Sequence, residues 1–174
     1  MLIIFGGLPA TGKTTIAKRL AQKLEATYLR IDSIEQAILK DQIVQSMVEV
    51  GAKGYLVAYA VALDNLKLGK VVVADSVNPI EITRQSWRNT ALNAQVDFLE
   101  IEMICSDQVL HQQRVQTRCA DITGHLLPNW QDIQNREYEQ WDTASLIIDT
   151  ADISVDKAIS MIMMRLNTEK SEEN

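Results

Sequence analysis

The chain has 174 residues, 47% of them apolar, and a formal net charge of −6. These values predict one folded domain over residues 1–168, with a frayed tail at residues 169–174. The negative charge argues against a large nucleic-acid surface, and there is neither a run of about 18 apolar residues nor a basic leader. We therefore expect a cytoplasmic monomer or weak dimer that binds neither a membrane nor nucleic acid, so a small-molecule partner is favoured.

The first predicted strand leads into a glycine-rich loop. Residues 2–5 are apolar, and residues 7–14 read GLPATGKT, which matches G-x-x-x-x-G-K-[ST] at every fixed position. The backbone N–H groups of such a loop, together with the start of the next helix, bind phosphate. We predict that Lys13 contacts the outer phosphates and that Thr14 ligates the bridging magnesium ion. The residues predicted to bind the nucleotide are Gly7, Leu8, Pro9, Ala10, Thr11, Gly12, Lys13, Thr14 and Thr15.

The second predicted strand, at residues 27–31, leads to an acid. Asp32 and Ser33 stand before a helix that we predict from Ile34 onward. Ligands of open α/β sheets bind beyond the carboxyl ends of the strands, so Asp32 would face the phosphates. Two interpretations stay open for Asp32: a general base or orienting group for a substrate hydroxyl, or a helix cap.

A second acid ends the third predicted strand. A helical pattern over residues 42–68 stops at Gly69, and the β-branched run at residues 71–74 is followed by Asp75. An apolar strand that ends in aspartate is what a P-loop enzyme uses to hold magnesium opposite the threonine hydroxyl. We therefore predict Thr14 and Asp75 as magnesium ligands, and leave open which of Asp32 and Asp75 is the general base.

Three arginines follow in the next two helices. Arg84, in a helix predicted over residues 80–94, either contacts an anionic substrate or lies on a solvated face. After a strand at residues 96–105, Asp107 caps a helix that holds Arg114 and Arg118 four residues apart, on one face. Guanidinium groups ahead of a loop suit phosphoryl transfer, so we predict a lid here; the alternative is an exposed basic face. His111 is assigned no role.

The rest of the chain completes an alternating pattern. A polar helix is predicted over residues 128–142, a fifth strand over residues 146–149 and a closing helix over residues 154–166. Five strands that alternate with helices predict an α/β fold with a parallel sheet covered on both faces.

Four segments resemble the P-loop kinases with a short lid, the group that includes shikimate and gluconate kinases, chloramphenicol phosphotransferase, the kinase domain of polynucleotide kinases and uncharacterised predicted ATP-binding kinases. The segments are GGLPATGKTT at residues 6–15, LRIDS at 29–33 with Gln36, ADSVNP at 74–79 with Arg84, and HQQRVQTR at 111–118. The resemblance implies a P-loop NTPase three-layer α/β/α sandwich with strand order 2-3-1-4-5. It also implies that Asp32 takes the proton from the attacking hydroxyl, that Arg114 lies near the adenine and that Arg118 clamps phosphate.

From these observations we predict a kinase that uses ATP and magnesium and transfers the γ-phosphoryl group to a hydroxyl of a small molecule. Lys13, Asp32 and Arg118 are the predicted catalytic residues, and Asp32 and Arg84 are predicted to contact the substrate. Two alternatives are a polynucleotide 5′-hydroxyl kinase and a non-kinase ATP-binding switch that acts through a protein partner.

Overall fold

The computed structural model describes residues 1–40, 46 and 50–171, and a five-stranded parallel sheet of order β2-β3-β1-β4-β5 forms its centre. The strands are β1 Leu2–Gly6, β2 Thr27–Arg30, β3 Val72–Asp75, β4 Phe98–Ile104 and β5 Leu146–Asp149. The helices are α1 Lys13–Leu24, α2 Ile31–Lys40, α3 Lys53–Lys67, α4 Glu81–Ala94, α5 Gln108–Thr117, α6 Trp130–Gln134 and α7 Val155–Ser171. The predicted α/β/α fold with this strand order is confirmed.

Strand β1 lies at the centre of the sheet and is buried on both faces. Its alternate side chains point to opposite sides, so Ile3 and Phe5 pack with α1 and α7, whereas Leu2 and Ile4 pack with α3 and α4. Both faces are covered, which is why β1 is a continuous apolar run instead of an alternating one. The packing fixes the carboxyl end of β1, where the glycine-rich loop begins.

The strand register brings three strand ends to one level. Phe5 of β1 pairs with Asp75 of β3, and Asp75 in turn pairs with Arg30 of β2. The chain then crosses to the other side of β1, where β4 pairs. This reversal beside β1 is the position at which open α/β sheets bind ligands. The glycine-rich loop and both predicted acids therefore meet at one edge of the sheet.

The structure differs from the sequence-based expectations in several boundaries. Helix α2 begins at Ile31, so Asp32 lies inside its first turn and does not cap a helix that starts at Ile34. Helix α3 begins at Lys53, and the remainder of the predicted long helix falls partly on residues 42–45 and 47–49, outside the described residues. Helix α7 continues to Ser171, beyond the expected helix end at residue 166.

The predicted helix over residues 128–142 is wrong for most of its length. Only the short helix α6 forms, and residues 135–145 have no regular secondary structure. Trp141 is buried in the core beneath Gly6, and Arg84 binds the carbonyl groups of Glu139 and Gln140. These two carbonyl groups accept hydrogen bonds from a side chain instead of from backbone N–H groups four residues later, as they would in an α-helix. Tertiary contacts therefore override the local helical pattern.

None of the helices in the described part of the chain combines the length and the apolar character that a membrane crossing requires.

Candidate active site

The loop between β1 and α1 has a backbone shape that few side chains tolerate. Gly7, Ala10 and Gly12 have φ values of 130°, 65° and 90°. A Cβ atom at Gly7 would lie 2.1 Å from the carbonyl oxygen of Met103, so glycine is required there. Gly12 caps α1 without any side-chain hydrogen bond, which leaves the first N–H groups of the helix available to an anion.

Lys13 lies under this loop, almost fully buried. Its Nζ donates a hydrogen bond to the Leu8 carbonyl at 2.8 Å. Burial lowers the Lys13 pKa to about 8, and the nearby carboxylates of Asp75 and Asp32 act against that shift. The protein thus disfavours the charged form of Lys13 as long as no anion is bound. This is expected of a lysine that binds phosphate.

A cavity of about 590 Å³ opens in front of the loop. Among the predicted site residues that line it, five come together from four separate segments of the chain. These residues are Lys13, Thr14, Asp32, Asp75 and Arg118. The cavity then continues past Asp32 to Glu35, Tyr55 and Arg136. The structure therefore brings the glycine-rich loop and both predicted acids to one cavity.

Asp75 is fixed by a tyrosine from the edge strand. The Tyr28 hydroxyl donates to Asp75 Oδ2 at 2.6 Å, and Asp75 is only 4% exposed. Burial, and then the Asp75 carboxylate, raise the Tyr28 pKa, so Tyr28 stays a donor. Within the described chain no group donates to Asp75 Oδ1, so this oxygen is available on the cavity side.

An ion-pair network joins the segment between α5 and α6, residues 118–129, to the sheet. Asp121 in this segment accepts from Arg30 at 2.8 and 2.9 Å and from Lys18 at 2.7 Å. These hydrogen bonds hold the pKa of Asp121 below its usual range. Arg30 also reaches Asp32 at 3.4 Å. The network ties the predicted lid to β2 and α1, beside the predicted base.

Arg114 and Arg118 lie on opposite sides of the glycine-rich loop. The two arginines do not share a helix face as expected, because α5 ends at Thr117. Arg118 lines the main cavity and donates to the Pro128 carbonyl at 3.0 Å. Arg114 instead donates to Thr150 Oγ1 at 2.8 Å and to its carbonyl at 2.9 Å. It lines a second cavity of about 540 Å³ beside Gly12.

Arg84 does not contact either cavity, and the prediction that it meets a substrate is wrong. It is fully buried, and its guanidinium donates to the carbonyls of Asn78 and Gln140 at 3.0 and 2.8 Å and to Glu139. The guanidinium also lies 4.8 Å from the centre of the Trp141 ring. Arg84 therefore joins residues 139–141 to the turn after β3, which is a structural role.

Several residues of the site were missed by the sequence analysis. His111 was given no role, yet its Nε2 lies 2.8 Å from the Pro9 carbonyl and its ring packs edge-on against Trp130, at 5.2 Å between centroids. His111 and Tyr28 carry no local signal, since only the tertiary fold brings them to the loop and to Asp75. Glu35 did carry a local sequence signal, because it follows Asp32 by three residues and therefore lies on the same helix face.

Some buried polar atoms at the cavity lack a partner. Within the described chain they include Arg30 Nε, Arg118 Nε and His125 Nδ1, and all three residues line the main cavity. Buried polar groups are nearly always satisfied by protein, water or ligand. Their position is what we expect of a site that receives a polar ligand.

A family model described as "Chromatin associated protein KTI12" matches residues 1–174. The chain belongs to the KTI12 family. No curated protein sequence matches it significantly.

Solved structures with the same fold include kinases and a KTI12 protein. A kinase-like protein from Chloroflexus aurantiacus J-10-fl has a TM-score of 0.74 at 21% identity, covering 96% of each chain. The APS kinase CysC of Mycobacterium tuberculosis, in complex with AMPPNP and APS, has a TM-score of 0.70 at 21% identity, covering 95% of this chain and 96% of that one. Kti12 of Chaetomium thermophilum, in complex with ADP-AlF3, has a TM-score of 0.68 at 20% identity, covering 94% and 97%. The predicted likeness to P-loop kinases is confirmed at the level of the fold.

The oxygen donors of this KTI12-family chain suit a magnesium ion that is bound together with phosphates. The Thr14 hydroxyl and the Asp75 carboxylate line the same cavity, and magnesium prefers oxygen ligands. The described residues contain no group of three or more His, Cys, Asp or Glu side chains that could hold a metal by themselves. Magnesium is usually held by one or two protein oxygens plus substrate phosphates, so this donor set fits it.

Proposed function

We propose that the protein is a kinase that uses ATP and magnesium and transfers the γ-phosphoryl group to a hydroxyl of a small molecule. The observation that carries this proposal is the shape of the main cavity. It joins Lys13 and Thr14 to Asp32 and continues to Glu35 and Tyr55, with a volume of about 590 Å³. A hydrolase needs space for one attacking water, roughly 30 Å³, whereas this cavity leaves space for an organic acceptor.

The nucleotide would occupy both cavities. The loop amides and Lys13 bind the β- and γ-phosphates, and Thr14 with Asp75 holds magnesium, which would neutralise charge on the phosphate oxygens. Arg114 lines the second cavity beside Gly12, where we place the nucleoside. The expected position of Arg114 near the adenine thus remains part of the proposal.

Transfer would run from the loop toward α2. Asp32 accepts the proton of the acceptor hydroxyl while a bond forms between that oxygen and the γ-phosphorus. The bond from the γ-phosphorus to the bridging oxygen breaks, and its electron pair leaves with ADP. Arg118 donates to the oxygens of the phosphoryl group in flight. We assign the base role to Asp32 because Asp75 is held by Tyr28 and serves the metal.

A second candidate is an ATP-hydrolysing switch that acts through a protein partner. The match of the whole chain to the KTI12 family favours it, because that family is described by chromatin association and not by a kinase activity. The Chaetomium Kti12 complex contains ADP-AlF3, and aluminium fluoride imitates a phosphoryl group in transfer to water or to an alcohol. In the switch, Asp32 would orient a water molecule.

A 5′-hydroxyl kinase of nucleic acid ends is disfavoured by charge. The chain carries a net charge of −6, and Asp32 and Glu35 line the acceptor side of the cavity. Binding to a polynucleotide would weaken with salt in proportion to the number of phosphates contacted.

The experiment is γ-phosphoryl transfer from labelled ATP with magnesium across a panel of metabolite alcohols, antibiotics and 5′-hydroxyl oligonucleotides, with Lys13→Ala as the blank. We expect label on a small molecule. Label found only as free phosphate, at a rate that no metabolite changes and that a macromolecular extract raises, would replace the kinase with the switch. Label on the oligonucleotide would establish the third possibility.

A further inference from the structure

Two carboxyl groups, not one, face the acceptor end of the cavity. Asp32 and Glu35 are three residues apart on α2, so they lie on the same side of the helix, and both line the cavity. Asp32 has a role in the proposed transfer, and Glu35 does not. A second carboxyl group beside the base therefore requires its own explanation.

Glu35 is held in place from behind. A Cβ atom added to Gly54, at the start of α3, would lie 2.4 Å from Glu35 Cγ, so the stem of Glu35 packs directly on the backbone of α3. The side chain is half-buried. Even so, its carboxyl has no hydrogen bond or ion pair with any of residues 1–40, 46 and 50–171. The carboxyl lines the cavity, so it is available to a molecule that enters there.

The groups that face Glu35 come from three elements. Asp32 lies on its own helix, Tyr55 lies on α3, and Arg136 follows α6. Burial, and to a smaller extent the Asp32 carboxylate, raise the Glu35 pKa to about 7, and Arg136 acts in the opposite direction. Arg136 is solvent-exposed, so its influence is weakened by water.

We propose that Glu35 determines specificity by accepting a hydrogen bond from a second polar group of the acceptor. This inference rests on the proposed kinase function and deepens it. The acceptor would then carry an O–H or N–H donor close to the hydroxyl that receives phosphate, as polyols and amino alcohols do. A carboxylate or phosphate in direct contact with Glu35 carries no such donor and would be repelled by the Glu35 carboxylate.

In this proposal the two acids have different roles. Asp32 takes the proton of the reacting hydroxyl, and Glu35 keeps its own protonation state through the transfer and only fixes the orientation of the acceptor. A site built around a hydrogen bond to substrate rejects analogues that lack the donor, because a buried polar group is then left unpaired. Loss of Glu35 should therefore raise KM for the right acceptors and remove the discrimination among acceptors.

The test compares kcat/KM for glycerol, ribitol, ethanolamine, 2-amino-1,3-propanediol, 1-propanol and glycolate in the parent and in Glu35→Leu, which removes the hydrogen-bond acceptor. Glu137→Leu, an exposed change of the same chemistry outside the cavity, is the control. Nucleotide affinity and Tm, measured for all three proteins, check that the site and the fold are intact. We expect the parent to prefer the polyols or amino alcohols over 1-propanol and glycolate by about 10²-fold, and Glu35→Leu to lose most of that preference.

The pH dependence of kcat/KM distinguishes an ammonium donor on the acceptor from a hydroxyl donor. Glu35 becomes anionic as pH rises through about 7, so preference for an ammonium group would grow over that range, whereas preference for a hydroxyl would change little. Equal rates on 1-propanol and the polyols, or a preference that survives in Glu35→Leu while label is still transferred, would overturn the role of Glu35. A parent protein that labels none of these acceptors, nor any on the wider panel, would overturn the kinase function itself.

Discussion

The two ends of the main cavity are built in different ways. At the phosphate end, one continuous segment, residues 6–15, supplies the ligands, and its shape is set by backbone conformation at Gly7 and Gly12. At the acceptor end, the groups come from α2, α3, the lid segment and the chain after α6, and they are side chains. The phosphate end is therefore set by local backbone geometry, whereas the acceptor end depends on tertiary contacts that hold distant segments together.

The largest effect is expected from a methyl group at Gly7. Gly7→Ala would place Cβ 2.1 Å from the Met103 carbonyl oxygen at a φ of +130°, so backbone must move. We expect a loss of about 3 kcal/mol or more in the free energy of unfolding, together with loss of ATP binding. Chemical denaturation and calorimetry measure the two effects.

Gly69→Ala is the matched control for Gly7→Ala. Gly69 also has a positive φ, +76°, but a Cβ there would meet no atom within 4 Å. Gly69→Ala should lower the free energy of unfolding by about 1 kcal/mol and leave ATP binding unchanged. Equal effects of the two substitutions would show that the phosphate end does not depend on the close approach of the loop to β4.

The next largest effect concerns the segment that follows α6. Arg84→Met removes the donors that bind the carbonyls of Asn78, Glu139 and Gln140, so we expect a loss of about 3 kcal/mol in the free energy of unfolding. Arg19→Met, which breaks the exposed pair with Asp156, should cost less than about 1 kcal/mol. An Arg84 variant with unchanged stability and a raised KM would restore the substrate role that the structure rejects.

The phosphate end should respond to pH through Lys13. Its pKa of about 8 in the free protein means that the side chain is cationic below pH 8 and neutral above it. ATP requires the cation, so above pH 8 binding must take up a proton, and the affinity should fall by up to about tenfold per pH unit. Calorimetry between pH 7 and 10 measures this, and Lys13→Ala should show weak binding without the slope. An affinity for the parent that is flat to pH 9.5 would contradict the assignment.

The smallest effect is expected at the metal. Tyr28→Phe removes the hydrogen bond to Asp75 Oδ2 and leaves the ring packing. Loss of one such bond corresponds to about a 3- to 10-fold higher midpoint for magnesium activation, with a similar loss in Mn²⁺ binding to the ADP complex. An unchanged metal midpoint, with ATP affinity also unchanged, would mean that Asp75 does not depend on Tyr28.

The same contrast explains what could be predicted from the sequence. The glycine-rich loop is local, so its motif could be recognised, and the alternation of strands and helices with the family resemblance predicted the sheet order. Arg84 was misassigned because burial cannot be read from a helical pattern that also contains exposed residues. His111, Tyr28 and Arg136 were missed because each reaches the site from a distant segment through tertiary contacts.

The most direct test of the central claim is to measure ATP affinity and phosphoryl transfer side by side in Asp32→Asn. If the phosphate end binds nucleotide by itself and the acceptor end performs the proton transfer, ATP affinity should stay within about twofold of the parent, while transfer to the labelled acceptor falls by about 10²- to 10³-fold. Full transfer in Asp32→Asn, or a loss of ATP binding equal to that of Lys13→Ala, would contradict the account.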